Sequence, residues 1–334
     1  MPALRRLRSP LVVTTTALAG VLALCTPSYA GGSWDTTDPA PPSPPPKAPD
    51  PSTISSQVHY SRSYHGSGAR MTSSAAAWSP PVCWYEPTYS PQQMEDYLTT
   101  HYEAEHIAEE VIGQDDPGGI DYHTGEKGAW WKLVIPDTAR GGECDAPHSW
   151  LWVTPTTPSS PQAPVIDPKT LAGLAYDRTV LPEPDITLRP TGQNQLVNLD
   201  TEVRFDKALP KVWVTARLDN AAFGVHVAAT TTAVPTRLTI DAGTADADPA
   251  SCTYDLSASG GKFSVDTKGA GCNVTYRKAS PHGGYRLTAS VVWKVTWTPS
   301  ADPDGPPQAR PALPDGQSSR TFPVTVRENV ALNR

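Results

Sequence analysis

From residue 287 to residue 297 every second side chain is apolar: Leu287, Ala289, Val291, Trp293, Val295 and Trp297. The alternate positions, Arg286, Thr288, Ser290, Val292, Lys294 and Thr296, are polar or charged apart from Val292. A repeat of two puts one row in a core and the other in water. A helix would scatter these residues round its circumference, and the β-branched content also favours an extended backbone. The run 285–297 therefore predicts a long strand with one buried face. A strand needs partners, so it commits the surrounding chain to a sheet.

Those partners are legible on both sides of it. Short alternating runs occur at 186–188, 195–205, 211–218, 223–230, 235–240, 262–265, 273–276 and 321–327, with turn residues between them. In 211–218 the apolar face is Val212, Val214, Ala216 and Leu218; in 223–230 it is Phe223, Val225, Val227 and Ala229. Many short strands with regular turns and no helical period predict an antiparallel β-sandwich over residues 186–330. The chain's 37 prolines point the same way, because proline is rare inside helices.

Residues 76–155 read differently. They hold six of the ten tryptophans: Trp78, Trp84, Trp130, Trp131, Trp150 and Trp152. One helix is signalled, with Ser90 as N-cap, Pro91 in its first turn and Gln93 completing a capping box. Met94, Tyr97, Leu98, His101, Ala108 and Ile112 continue it to Gly113. Strands are predicted at 128–135 and 149–153, which makes a small α+β unit. A proline-punctuated connector, 156–185, holds a short helix at 168–178 capped by Asp167. Residues 31–75, opened by a proline-rich run from Asp38 to Ser52, read as a disordered segment unable to bury a core.

The N-terminus addresses the compartment. Arg5, Arg6 and Arg8 precede an uncharged, mostly apolar stretch, and Ser28-Tyr29-Ala30 offers small residues for cleavage after Ala30. Residues 1–30 thus read as a secretory signal peptide. No later apolar run is long enough to span a bilayer as a helix. Four cysteines remain beyond it: Cys83, Cys144, Cys252 and Cys272. An even number in an oxidising compartment reads as two disulfides. Three pairings exist, and proximity in sequence favours Cys83–Cys144 and Cys252–Cys272. The net charge of −7 and the absence of a basic run argue against a nucleic-acid partner.

No catalytic constellation meets a geometric test. His101 and His106 are five apart, whereas a zinc-protease helix needs two histidines at i and i+4. His123, Glu126, Asp137, Asp145 and His148 are acid–base groups with nothing in the sequence to fix their distances. There is no GxSxG elbow, no CxxC and no GxGxxG after a strand. The sequence thus assigns no catalytic residue, no metal and no cofactor. The tryptophans are the better lead. Trp130 and Trp131 are adjacent on a strand and face opposite ways, and Trp150 and Trp152 share a face. Trp131, Trp150 and Trp152 are the candidate binding aromatics, suited to sugar stacking or protein contacts.

Two resemblances add to this reading. RLTIDAG, at 237–243, and GYRLTASVVWKVTW, at 284–297, resemble the strand-turn and the closing strand of PKD/Ig-like modules in secreted bacterial proteins. The first match keeps only Asp241 and Gly243 of the module's signature. PPVCWYEPTYSPQQMEDYL, HTGEKGAWWKL, LAGLAYDRTVLPEPDITLRP and LVNLDT resemble an uncharacterised family of secreted actinobacterial proteins. Its members continue the last motif differently from the 200–205 segment here. The resemblances imply export and a mainly β architecture, with a PKD/Ig-like β-sandwich preceded by a small disulfide-bonded α+β domain. The function expected is that of an exported, non-catalytic envelope or extracellular protein binding a surface protein or wall glycan. The alternative is a secreted hydrolase with its site in residues 80–155.

Overall fold

The structure is a computed structural model, and it describes residues 58–75, 78–101, 120–135, 144, 146–154 and 164–328, without the side chain of His101. The expected signal peptide, the proline run and the 102–113 part of the expected helix lie outside the described residues. Strands are numbered along the chain. First come β1 (His59–Arg62), β2 (Gly68–Arg70) and β3 (Thr72–Ser73). Then β4 (Trp84–Tyr89), helix α1 (Pro91–His101), β5 (Ala129–Val134) and β6 (Trp150–Val153) build one small unit. Helix α2 (Pro168–Asp177) is followed by β7 (Val180–Pro182), β8 (Ile186–Arg189), β9 (Gln195–Leu196), β10 (Asp200–Phe205) and β11 (Leu209–Pro210). The long strands are β12 (Val212–Asn220), β13 (Val225–Asp241), β18 (Tyr285–Thr298) and β19 (Gly316–Val324). Among them lie β14 (Ser251–Asp255), β15 (Ser257–Ser259), β16 (Lys262–Ser264), β17 (Val274–Thr275) and, last, β20 (Val326–Arg327).

The protein is mainly β. Its centre is a curled, seven-stranded antiparallel sheet in the order β1-β12-β13-β18-β19-β3, with β14 also on β13. Strand β18 alternates as its sequence requires: Leu287, Ala289, Val291, Trp293, Val295 and Trp297 are all buried. Its neighbours are β13 and β19. Strand β17, which follows Cys272, pairs with β10.

The expected strands at 223–230 and 235–240 are parts of one, β13. Pro235 sits where it changes partner. Along one edge β13 pairs with β12 as far as Ala233 and with β14 from Arg237 onward. Proline has no N–H for a ladder, and the register on β18 shifts between Pro235 and Arg237. A bulge at that point bends the strand, so the sheet curls there. The expected strand at 195–205 is conversely broken in two. Asn198 takes a left-handed backbone, φ 62°, which no continuous strand accommodates.

Helix α2 packs on one face of this sheet. Asp167 caps it by accepting the Thr170 N–H at 2.6 Å, and every residue from Thr170 to Tyr176 is buried. It packs on β12 and β13, where the Thr231 hydroxyl donates to the Ala172 carbonyl at 2.8 Å. From residue 164 onward the expected connector is thus part of the core. The small and large sheets also share that core: Trp84, Tyr85, Ala129, Trp131 and Val153 are continuous with the buried faces of β12, β13 and β18.

The expected 31–75 disordered segment needs correction over its last part. From Val58 the chain is ordered: β1 extends the large sheet along β12, β3 extends it along β19, and β2 pairs with β7. Met71 between them is buried. These strands are too short and polar to show an apolar period. Main-chain pairing to preformed edges places them.

Two disulfides staple the fold, Cys83–Cys144 and Cys252–Cys272, the pairing that sequence proximity favoured. Both fit an oxidising, extracellular setting. Among the described residues no helix is long and apolar enough to cross a membrane.

Candidate functional site

The three-stranded sheet β4-β5-β6 is the aromatic part of the molecule, and pleating sorts its side chains onto two faces. Trp130 and Trp131 diverge as adjacent strand residues must. Trp131 joins the shared core. Trp130 joins a second core with Tyr89, Met94, Leu98 and Trp150, and helix α1 contributes two of those residues. The α1 capping box is formed: Gln93 Oε1 accepts the Ser90 N–H at 2.9 Å, and Ser90 Oγ accepts the Gln93 N–H at 3.3 Å.

The three candidate binding aromatics therefore have three fates. Trp150 is only 3 % exposed and stacks on Tyr89, with ring centroids 5.2 Å apart. Lys132 places its ammonium 5.8 Å from the same ring. Trp150 is core and offers no shelf. Trp152 is half-buried, and the His123 ring lies parallel to it at 4.4 Å. Trp131 is buried to 8 % exposure and lines a cleft.

That cleft, about 490 Å³, runs between the small sheet and the turn joining β12 to β13. One wall is Trp131, Val153 and Ala129; the other is Phe223 and Val225. Ser90 and Lys127 supply polar groups. The second wall is a single 3₁₀ turn, Ala221–Phe223, closed by Gly224 at φ 63°. Asn220, itself buried, ties that turn to the small sheet by donating from Nδ2 to the Pro87 carbonyl at 3.2 Å. Gly128 shapes the first wall. A Cβ there would lie 2.5 Å from Trp152 Cζ2 and 2.7 Å from the Val153 carbonyl oxygen. Gly128→Ala is accordingly expected to cost about 1–3 kcal/mol, the usual penalty of overpacking against a fixed backbone. Urea unfolding checks this; a loss under about 0.5 kcal/mol would show that the strand ends can part freely.

A second groove, about 550 Å³, lies at the start of α2 between Trp78, Pro81, Asp167 and Leu313. Its carboxylate is already committed to the helix cap.

Among the acid–base candidates the structure brings His123 and Glu126 together. His123 Nδ1 is 3.2 Å from Glu126 Oε2 and 3.6 Å from Asp121 Oδ2. These three residues could hold a cation by type and spacing, but both carboxylates are more than half exposed, so water competes with any ion. His148 is not paired with them; its carbonyl accepts the Tyr85 hydroxyl at 2.6 Å. Asp137, Asp145 and His106 lie outside the described residues, as does the His101 side chain.

Sequence reasoning missed Glu86. It is 5 % exposed, and Trp84 Nε1 donates to its Oε1 at 2.7 Å. Burial pushes its carboxyl up to about 7, against that hydrogen bond, which favours the charged form. The available signal was a lone acid inside the WYEPTY run, whose six residues are all buried.

Comparison with protein-family models, curated proteins and solved structures returns no match, so the site is read from its own chemistry.

Proposed function

We propose that this is an exported, non-catalytic envelope or extracellular protein that binds a segment of another surface protein in the Trp131–Phe223 cleft. The observation that carries this is the lining: Trp131, Val153, Phe223 and Val225 form apolar walls, and Lys127 is the one charged group between them. Lys127 makes no ion pair among the described residues. Charge complementarity thus selects an apolar segment bearing a carboxylate, with the side chains in the cleft and the acid at Lys127. A wall glycan fits less well. Sugar hydroxyls need several converging polar side chains, and the cleft offers Ser90, Thr154 and Lys127 only. The basic, apolar N-terminus and the two disulfides support export. The alternation of β18 supports a PKD/Ig-like scaffold.

A photo-crosslinking residue at position 223 in the full chain, with one at exposed Ser259 as control, tests this on the producing cells. A protein adduct is expected at 223 and not at 259. The adduct should have an acidic, apolar segment at the crosslink. Phe223→Ala and Lys127→Glu should each weaken the purified pair about tenfold or more. Sedimentation with wall glycan that neither substitution reduces would overturn the cleft reading. So would a hydrolase turnover lost in His123→Ala, because His123 covers Trp152 on the opposite face of the sheet.

A further inference from the structure

The turn just before β5 carries three ligand-type side chains in one short run, Asp121, His123 and Glu126. Their donor atoms, one from each residue, all lie within 4.8 Å of one another. We propose that this turn is a surface site for a first-row divalent transition metal, zinc above all, with His123 Nδ1, Asp121 Oδ2 and Glu126 Oε2 as its protein ligands. The site lies against Trp152, on the face of the small sheet away from the cleft, and it does not depend on the binding reading.

Three observations carry this. First, the spacing suits a metal. Zinc bonds of about 2.0–2.2 Å in a tetrahedron put neighbouring ligand atoms about 3.4 Å apart. His123 Nδ1 is 3.2 Å from Glu126 Oε2 and 3.6 Å from Asp121 Oδ2. A plain ion pair accounts for one acid beside the ring, whereas here two carboxylate oxygens flank one nitrogen. Second, packing holds the imidazole in that orientation independently of both acids. Its ring lies flat on Trp152, with centroids 4.4 Å apart and planes within 7°, and Trp130 is 5.6 Å away. The His123 side chain is only 20 % exposed. A ligand already fixed by packing loses little freedom when an ion binds. Third, Asp121 divides its oxygens. Oδ1 accepts the His123 N–H at 2.8 Å, which anchors the carboxylate and leaves Oδ2 for the ion. Ligating carboxylates are commonly held by such a second hydrogen bond.

The donor set selects the ion. One imidazole nitrogen with two carboxylate oxygens suits zinc and its neighbours, whereas calcium and magnesium take oxygen ligands. Two carboxylates this close repel each other, and a divalent cation between them replaces that repulsion with attraction. Both are more than half exposed, so their arms can close round the ion. The same exposure lets water compete, which sets a micromolar rather than a nanomolar affinity. Three protein ligands leave a fourth position open, and a donor from water or from another molecule completes it. The site is therefore exchangeable.

Calorimetric titration of the full, chelator-stripped chain with zinc alone tests this. Saturable zinc binding at a micromolar Kd is expected, with no saturable calcium binding below about 1 mM. His123→Asn removes the imidazole and tolerates the left-handed backbone at that position, φ 61°. It should weaken zinc about 100-fold, and Glu126→Gln should weaken it about tenfold. Absence of saturable zinc binding in the wild type, calcium binding as tight as zinc, or unchanged zinc affinity in His123→Asn overturns the proposal. Should the variants not fold, fluorescence of the wild type decides alone. Cobalt(II) bound at the imidazole should quench emission from Trp152 and Trp130, and added zinc should restore it. Cobalt that leaves the emission unchanged, or quenching that zinc does not reverse, overturns the site.

Discussion

Trp293→Ala is expected to remove about 3–5 kcal/mol of stability, the range for truncating a large aromatic in a packed core. Trp293 is completely buried on β18, between Pro235 of β13 and Gly316 of β19. Its indole also begins a short relay. Nε1 donates to Ser318 Oγ at 3.0 Å, and that hydroxyl donates to the Pro182 carbonyl at 2.9 Å. The relay joins β18, β19 and β7. Truncation leaves both a void and a buried hydroxyl that has lost its donor. Trp293→Phe keeps most of the bulk and loses only the relay, so it should cost less than half as much. Urea denaturation of the two variants separates the terms. If alanine cost under about 1 kcal/mol, the curled sheet would not be organised around this strand.

The second large effect concerns Cys83–Cys144. The two cysteines are 61 residues apart, and loop-closure entropy for that length gives about 4 kcal/mol, against about 3 for the 20-residue separation of Cys252–Cys272. The longer loop contains α1 and β5, so its closure restricts much of the aromatic unit. The double variant Cys83→Ala/Cys144→Ala should therefore unfold at lower urea than Cys252→Ala/Cys272→Ala. The reverse order would mean that the aromatic unit stays folded without its staple and that the loop term does not dominate.

Where one face of an element is wet, the sequence was readable. Strand β18 shows this, as does β12 with Val212, Val214, Ala216 and Leu218 buried in turn. Helices α1 and α2 were legible from Ser90 and Asp167, because a cap is a local hydrogen bond and needs no tertiary context. Strand β4 was not legible. All six of its side chains are buried, so alternation vanishes, and Pro87 reads as a breaker. β1 and β3 were hidden for the opposite reason: they are almost wholly exposed and are held by main-chain pairing. The cleft was half legible. Trp131 was named from strand parity, but Phe223 was assigned to a strand's apolar face and instead sits in a 3₁₀ turn at the mouth of β13. Glu86 left only the lone acid of the WYEPTY run as a signal, because its significance is its burial, which depends on strands distant in sequence.

The change of partners along β13 also sets an order of assembly. Its first half joins β12 across a short turn, a local contact that can form early. Its second half joins β14 almost as locally, but the other edge of the strand must wait for β18, with Asp241 paired to Thr288 and Thr230 to Thr298. Strand β18 in turn waits for β19 at residues 316–324. Contacts of such sequence separation form slowly, and partly built sheets with open edges are the forms most prone to aggregate. A chain emerging from its N-terminus thus displays the apolar face of β13, with that edge open, until residues 285–298 follow. Its yield on expression should depend on holding that face apart from other copies more than on the final stability of the fold.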